Sequence, residues 1–284
     1  MAVLAGLVAG LVVGAVVWKL WAPQLVIPAL LRENVRGAQV PTAGGVTIIV
    51  SILVVEAVRA LWGDDAGPAR ILTVLVVAVF GGLGLLDDVL GSGADGRGFK
   101  GHVRALAHGR LTTGGVKLVC GFSAALIACS LVDTGGGDGW PPHAGHVAQL
   151  VADAALVALS ANLGNLFDRA PGRTLKVSAL LFVVLCASMG TEPRLGAVAT
   201  TVGAGLALAI PDLRERVMLG DTGANALGAA LGFGLVLTAS ATVRVVVLIA
   251  VLVLNAASEA VSFSSVIDRV PPRRAIDRLG RLQR

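Results

Sequence analysis

The chain has 284 residues, of which 55% are hydrophobic and 14% are charged, and its mean hydropathy is +0.83. Soluble domains carry roughly 25% charged residues, so this composition excludes an ordinary soluble domain and predicts an integral membrane protein. The formal net charge of +5 is compatible with nucleic-acid binding, but the chain has no Tyr and no basic patch with interleaved aromatic residues. We therefore expect the lipid bilayer, and no nucleic acid, as a partner.

Apolar runs close to the length of about 20 residues that crosses a bilayer recur along the chain. They predict an all-α, polytopic helical bundle with about nine transmembrane helices. The first run lacks a basic leader, so we interpret it as a retained span. A single transmembrane catalytic domain is expected over residues 1–265, followed by a basic tail over 266–284. The predicted spans are 2–22, 44–62, 70–86, 113–132, 147–163, 175–190, 194–211, 222–240 and 243–263.

Glycines recur at four-residue spacing in the first span, at positions 6, 10 and 14, and again in the eighth, at 228 and 232. Small residues with this spacing allow helices to approach closely. We favour packing within one chain, with a homodimer as the alternative.

Lys and Arg residues concentrate in alternate connections between the predicted spans. By the positive-inside rule this bias places the N-terminus outside and the C-terminus in the cytoplasm, as expected for a multi-pass protein of the plasma membrane. The outer side receives only Arg59, Arg70, Arg194 and Arg244. The cytoplasmic side receives Arg32, Arg36, Arg97, Lys100, Arg104, Arg110, Arg169, Arg173, Lys176, Arg214, Arg216 and the arginines of the tail.

Four polar segments lie at predicted membrane boundaries, and the predicted topology brings all four to the cytoplasmic face. A functional surface on that face is the simplest inference. The segments are VPTAGGV (40–46), LLDDVLG with its following loop (85–117), NLGNLFD (162–168) and MLGDTGAN (218–225).

Three aspartates in these segments are candidate catalytic residues. Asp87 and Asp88 end a predicted helix, where they oppose the helix dipole and each other unless a cation or a basic side chain offsets their charge. Mg²⁺ would do so, since it is commonly held by one or two carboxylates together with substrate phosphates. Asp221 immediately precedes another predicted helix, where either a helix cap or a metal ligand is expected.

Other polar side chains are candidates for substrate binding. Asn162, Asn165 and Asp168 recur every three residues, which keeps them near one face of a helix. They are expected to face a cavity, and hydrogen bonding between helices is the alternative. Lys117 opens the fourth span, where it would either reach the membrane interface or bind phosphate. The PTAGG segment suits close approach of its backbone to a ligand or to a neighbouring helix.

Four segments, taken in order, resemble the motifs of the polyprenyl-phosphate N-acetylhexosamine-1-phosphate transferases. These are glycosyltransferase family 4-like membrane proteins of the MraY and WecA/TagO type. The four segments are PTAGG, GLLDDVLG, NLGNLFD and MLGDTGANALG. The resemblance extends from about Arg32 to Asn225. It implies transfer of an N-acetylhexosamine-1-phosphate from a UDP-sugar to undecaprenyl or decaprenyl phosphate. UMP is released, Mg²⁺ or Mn²⁺ is required, and the product serves cell-envelope polysaccharide or peptidoglycan precursor synthesis.

The resemblance also implies roles for individual residues. Asp87 and Asp88 match the aspartate pair of the family, and Asp221 matches the aspartate that binds Mg²⁺. We therefore expect all three to be catalytic, with Asp88 and Asp221 as metal ligands. The substrate-binding residues are expected to be Lys117, which resembles the phosphate-binding lysine, together with Asn162, Asn165 and Asp168.

Two of the family's motifs are altered in this chain. It reads DRAPGR at 168–173 where relatives read DGLDGL, and its tail contains no His in place of their histidine-rich motif. Two other functions are alternatives. The many glycines and intramembrane polar residues would suit a transporter or flippase, and the missing histidine motif would suit a catalytically inactive homologue that acts as a scaffold in the cell envelope.

Overall fold

A computed structural model of the chain describes residues 2–34, 36–62, 67–90, 113–132 and 144–282. Helices dominate these residues, and short 3₁₀ turns join some of them. The helices are α1 (Ala2–Trp21), α2 (Val46–Leu61), α3 (Pro68–Leu90), α4 (Thr113–Val132), α5 (Ala144–Phe167), α6 (Arg173–Met189), α7 (Gly196–Ala207), α8 (Ala209–Leu213), α9 (Gly220–Thr238), α10 (Ala241–Ala260), α11 (Phe263–Arg269) and α12 (Pro271–Arg278).

Within the described residues, six helical segments are long and apolar enough to cross a membrane. The chain is therefore an all-α polytopic membrane protein. Every predicted span overlaps at least one helix. However, α2 and α6 have only 16 and 17 residues, and α9 is too polar to qualify. The total of nine spans and the orientation of the termini stay predictions. The six segments are Ala2–Leu25, Pro68–Leu90, Gly114–Val132, Ala144–Phe167, Pro193–Leu213 and Ala241–Ala260.

The boundary between a domain over 1–265 and a tail over 266–284 also stays a prediction. The loop over 91–112, which contributes four of the basic residues behind the predicted orientation, lies outside the described residues.

Helix α9 lies at the centre of the bundle, where it packs most extensively against α3 and α5. Its residues enter both large apolar clusters: Leu227 and Ala230 pack with residues of α7, whereas Phe233 and Val236 pack with residues of α3 and α5. Nearly the whole helix is buried. Because protein rather than lipid surrounds α9, its glycines and polar residues do not conflict with a place inside a membrane protein.

The outer surface of the bundle is apolar, as a surface in contact with lipid requires. Helix α10 shows this most clearly, because Val246, Ile249 and Val253 are 61%, 56% and 59% exposed. Val251 is the one residue of this helix that is buried.

A short antiparallel ribbon joins α1 to α2. Its strands are β1 (Leu31–Glu33) and β2 (Gln39–Pro41), in a register that pairs Leu31 with Pro41. From β2 the backbone continues pairing with the residues before α9: Met218 N–H donates to the Pro41 carbonyl over 2.8 Å, and Gly45 N–H donates to the Leu219 carbonyl over 2.9 Å. The PTAGG segment therefore approaches a neighbouring helix, one of the two roles expected for it.

The glycines of α1 also serve contacts within the chain. A side chain at Gly6 would collide with the Gly196 carbonyl, and one at Gly10 would collide with the Thr200 carbonyl, both on α7. This geometry matches the interpretation that the four-residue spacing serves packing within one chain.

The contact between α3 and α9 provides a test of this packing. A Cβ at Gly84 would lie 2.5 Å from the carbonyl carbon of Asp221 and 2.6 Å from the Thr222 nitrogen, so Gly84→Ala must push the two helices apart. We expect a loss of about 1–3 kcal/mol in stability. Thermal unfolding of the purified protein in detergent measures this loss.

Gly82 lies two residues away on the same helix and is the matched control, because a Cβ there meets nothing within 4 Å. Gly82→Ala should leave the protein as stable as before, or more stable by up to about 1 kcal/mol from helix propensity. Equal melting temperatures for Gly82→Ala and Gly84→Ala would contradict the close approach.

Candidate functional site

The ends of four helices meet at one end of the bundle and bring together two carboxylates, an ammonium group and an amide. Lys117 Nζ on α4 donates to Asp87 Oδ2 on α3 over 2.7 Å and to Asp221 Oδ2 on α9 over 2.5 Å. Asn165 Nδ2 on α5 donates to the same oxygen of Asp221 over 3.0 Å. We call these four residues the charged centre. Three of the four predicted polar segments therefore supply one site.

The charged centre is shielded but still reachable from solvent. The side chains of Asp87, Lys117 and Asp221 are 27%, 21% and 26% exposed. Partial burial lowers the local dielectric and strengthens the ion pairs, while the exposed fraction leaves room for a ligand to approach the same atoms. Such a place suits the binding of charged groups better than a fully buried ion pair would.

Asp88 has a different environment from its neighbour Asp87. The backbone N–H of Asp221 donates to Asp88 Oδ1 over 3.1 Å. Thr222 donates to Asp88 Oδ2 from its backbone N–H over 3.0 Å and from its hydroxyl over 2.6 Å. These N–H groups belong to the first turn of α9, where no partner exists within the helix. Asp88 therefore caps α9 from the end of another helix.

Gly220 makes this cap sterically feasible. Its φ of +72° lies in the left-handed region, and a Cβ there would collide with the Thr42 carbonyl and lie 2.7 Å from Asp88 Oδ2. Arg32 from β1 donates to the backbone carbonyl of Asp88 over 2.9 Å, and the Thr42 hydroxyl donates to Asp88 Oδ1 over 3.5 Å. The end of α3, the start of α9 and the β ribbon are thus fixed to one another.

Sequence reasoning missed Thr42, Thr222 and Arg32 as residues that hold Asp88. It considered Asp221 as a cap of its own helix, whereas the capping carboxylate comes from α3. The sequence nevertheless contains a signal for this contact. Gly220, Asp221 and Thr222 lie at the start of a helix, where N–H groups without partners in the helix attract a carboxylate from another segment.

Asn162 lies apart from the charged centre. Its Nδ2 donates to Asn255 Oδ1 on α10 over 2.6 Å, and Asn255 Nδ2 donates in turn to the carbonyls of Leu159 and Val251. These contacts are the hydrogen bonding between helices that the sequence left as the alternative. The expected role of Asn162 in substrate binding stays a prediction without support from these contacts.

Asp168 follows the last residue of α5, and its Oδ1 accepts a hydrogen bond from the Thr174 hydroxyl over 3.1 Å. Burial raises the pKa of Asp168 well above its usual range, and the negative charge of Asp212 raises it further. The charge of Asp221 acts in the same direction, so Asp168 is electrostatically coupled to the charged centre. Its expected role in substrate binding stays a prediction.

The donor set of the charged centre fits Mg²⁺. Within the part of the chain that the structure describes, no three His, Cys, Asp or Glu side chains are grouped to hold a metal ion. Asp87 and Asp221 nevertheless both contact one nitrogen, and two carboxylates suffice for a Mg²⁺ ion that keeps substrate phosphates and water as its other ligands. Both oxygens of Asp88 accept hydrogen bonds, so the geometry favours the pair Asp87 and Asp221. The sequence instead predicts Asp88 and Asp221 as the metal ligands, and that assignment stays a prediction.

The fold and the charged centre define a polytopic helical membrane protein with a partly exposed group of acidic and basic side chains at one end of its bundle. No protein-family model matches the chain, and no curated protein matches it. Its function is therefore inferred from the residues of the charged centre and from the motifs that supply them.

Replacing Asp88 tests its role as a cap. Asp88→Ala removes the acceptor for three donors at the start of α9 and should lower stability by about 2–3 kcal/mol. Asp87→Ala, one residue away, removes an ion pair that is about a quarter exposed and should cost about 1 kcal/mol or less. Thermal unfolding of both variants in detergent measures the difference, and the reverse order would contradict the cap.

Asp168 predicts a dependence of stability on pH. Because its pKa is higher in the folded chain than in the unfolded chain, its ionised form destabilises the fold, and stability rises as pH falls through the raised pKa. Asp168→Asn keeps an acceptor for Thr174 without the charge. It should raise the melting temperature at pH above the raised pKa, and the difference should vanish towards the ordinary value of 3.8.

The control for this measurement is Asp268→Asn, which removes an exposed carboxylate of α11 outside the charged centre. Lower stability of Asp168→Asn across the whole pH range would contradict the effect of burial on the Asp168 carboxyl group.

Proposed function

We propose that this protein transfers an N-acetylhexosamine-1-phosphate from a UDP-sugar to a polyprenyl phosphate, with release of UMP and dependence on Mg²⁺. In this proposal the charged centre faces the cytoplasm at the plasma membrane, and the product enters synthesis of cell-envelope polymers. One observation carries the proposal: Asp87, Lys117, Asn165 and Asp221 converge from four helices. The segments that carry them are also the segments that resemble the transferase motifs.

The reaction joins two anionic substrates. An oxygen of the polyprenyl phosphate attacks the β-phosphorus of the UDP-sugar and forms a new phosphoanhydride bond. The bond from that phosphorus to the oxygen bridging it to the α-phosphorus breaks, and UMP leaves with this oxygen. Because both substrates are negatively charged, such a site needs cationic groups to reduce their repulsion and to stabilise the charge of the transition state.

The residues of the charged centre suit separate tasks in this reaction. Lys117 is placed to bind a phosphate oxygen, since its ammonium group needs only a change of partner. Asp87 and Asp221 would hold Mg²⁺, which when bound supplies positive charge that neutralises the phosphates and polarises the attacked phosphorus. Asn165 orients Asp221 through its hydrogen bond. Asp88 is a positioning residue, because it fixes the start of α9, where Asp221 lies.

The depth of the charged centre favours a reaction at the membrane surface over transport. Asp87 and Asn165 lie within about one turn of the ends of α3 and α5, and Asp221 is the second residue of α9. Substrate sites of transporters lie near the middle of the bilayer, between broken helices. A polyprenyl phosphate instead presents its headgroup at the surface, level with the ends of membrane-spanning helices.

The decisive experiment measures UMP release by the purified protein in detergent, supplied with undecaprenyl phosphate, Mg²⁺ and a panel of UDP-N-acetylhexosamines. Asp87→Asn removes a carboxylate that would hold Mg²⁺, and Lys117→Met removes the cation that would bind phosphate. Each should therefore lower the rate at least about 100-fold. Asp88→Asn should also lower the rate strongly, by displacing the start of α9. Asp268→Asn removes an exposed carboxylate outside the charged centre and should leave the rate unchanged.

The outcomes separate the proposal from its alternatives. UMP release that survives Asp87→Asn and Lys117→Met would show that the charged centre is not the active site. A folded protein that neither releases UMP nor binds any UDP-sugar by calorimetry would contradict the proposed activity and favour the inactive scaffold.

A further inference from the structure

The residues after the last described span form a folded segment, which we call the C-terminal segment (residues 263–282). Its central contact is a two-pronged ion pair, in which Arg173 Nε and Nη2 donate to Asp277 Oδ1 and Oδ2 over 2.8 and 3.0 Å. Both side chains are buried, at 5% and 7% exposure. Arg173 begins α6, so the segment is fastened to the membrane-spanning bundle itself.

Two further basic residues secure the end of the C-terminal segment. Lys176 Nζ donates to the carbonyls of Asp277 and Leu279 over 2.8 and 2.7 Å, which satisfies acceptors at the free end of α12. Arg281 donates to the Pro171 carbonyl over 2.8 Å and pairs with Asp277 over 2.7 Å. The DRAPGR sequence, where the chain departs from the transferase motif, thus supplies the surface that binds this segment.

A ring contact fixes the depth of the C-terminal segment. Phe263, its first residue, stacks on Phe167 with ring centroids 5.0 Å apart and an angle of 16° between the ring planes. Phe167 is the last residue of a membrane-spanning segment, and the other span adjoining Phe263 ends at Ala260. The segment therefore starts where two spans leave the membrane.

Helix α12 buries a charged side chain and exposes apolar ones, which is the reverse of the pattern of a surface helix on a soluble protein. Its buried residue is the acidic Asp277, at 8% exposure, whereas Ile276 and the following Leu279 are 67% and 71% exposed. A surface helix of a soluble protein directs its apolar side at the core. Here the apolar side points away from the protein, which a helix lying in the headgroup region of a bilayer requires.

Positive charge accompanies this apolar side. The C-terminal segment contains five arginines and two aspartates, and Asp277 is neutralised by its partners within the protein. The exposed arginines of α12 are Arg273, Arg274 and Arg278. Basic residues next to a span are attracted to anionic lipids, while apolar side chains between them enter the boundary of the acyl chains.

We propose that α12 is a membrane-surface anchor that binds anionic phospholipids, with Ile276 and Leu279 in the headgroup boundary and Arg273, Arg274 and Arg278 on the phosphates. The hydrogen bonds from Arg173 and Lys176 to the end of α12 hold this helix against the bundle. This anchor is independent of the proposed transferase activity, because it uses none of the residues of the charged centre.

The test places a fluorescent reporter on the apolar side of α12 in the full-length protein. Cys120, Cys129 and Cys186 are free thiols and are replaced by Ala, and Ala275→Cys is labelled with bimane. The protein is reconstituted in nanodiscs of phosphatidylcholine, either alone or mixed with phosphatidylglycerol. In the anionic discs the emission should shift to the blue, and quenching by acrylamide, which is uncharged and is not repelled by anionic lipid, should fall at least about twofold. High salt should reverse both changes.

Substitutions then assign the effect to α12. Arg273→Gln, Arg274→Gln and Arg278→Gln together should abolish the response to phosphatidylglycerol. The matched control, Arg169→Gln, Arg214→Gln and Arg216→Gln together, removes three exposed charges elsewhere and should retain it.

Equal quenching in the two kinds of disc would overturn the anchor, as would a response that survives the α12 substitutions or disappears in the control. The comparison of lipids and the salt reversal need no change to the arginines, so they remain informative even if the triple variant fails to fold.

Discussion

The structure depends on the placement of one carboxylate. Asp88 lies at the C-terminal end of α3, where the helix dipole is unfavourable for an acid, yet its oxygens accept from the first turn of α9, where the dipole is favourable. The negative end of one helix is thereby joined to the positive end of another. Because α9 is the central helix of the bundle, this junction holds the start of the central helix against the end of α3.

Two adjacent aspartates can have different tasks because their side chains point in different directions. On a helix, consecutive residues diverge by about 100°, so Asp88 faces α9 while Asp87 faces Lys117 on α4. Asp88 is committed to hydrogen bonds within the protein, whereas Asp87 and Asp221 share one lysine. Among the residues that the structure describes, the charged centre thus brings two acids to one base.

Local sequence predicted the helices because an apolar run of bilayer length has few alternatives to a helix. The sequence also predicts that the polar segments lie on one face of the membrane. Successive spans cross in opposite directions, so every second connection lies on the same face. The partners of Asp88 and Asn162 were not predictable, because they lie 134 and 93 residues away and depend on how the helices pack. For the same reason the sequence alone does not indicate that DRAPGR contributes Arg173 to an ion pair with Asp277, 104 residues further along the chain.

The backbone pairing between the PTAGG segment and the residues before α9 holds one part of the charged centre more rigidly than another. Asp221 follows main-chain hydrogen bonds that tie Met218 and Leu219 to Pro41 and Gly45. Lys117 reaches the same place only through four methylene groups, whose torsions change at little cost. In the proposed function, Mg²⁺ would therefore enter without movement of a helix, by displacing the ammonium group from the two carboxylates. Lys117 is thus a flexible counter-ion, whereas the helices that carry Asp87 and Asp221 hold these carboxylates in place.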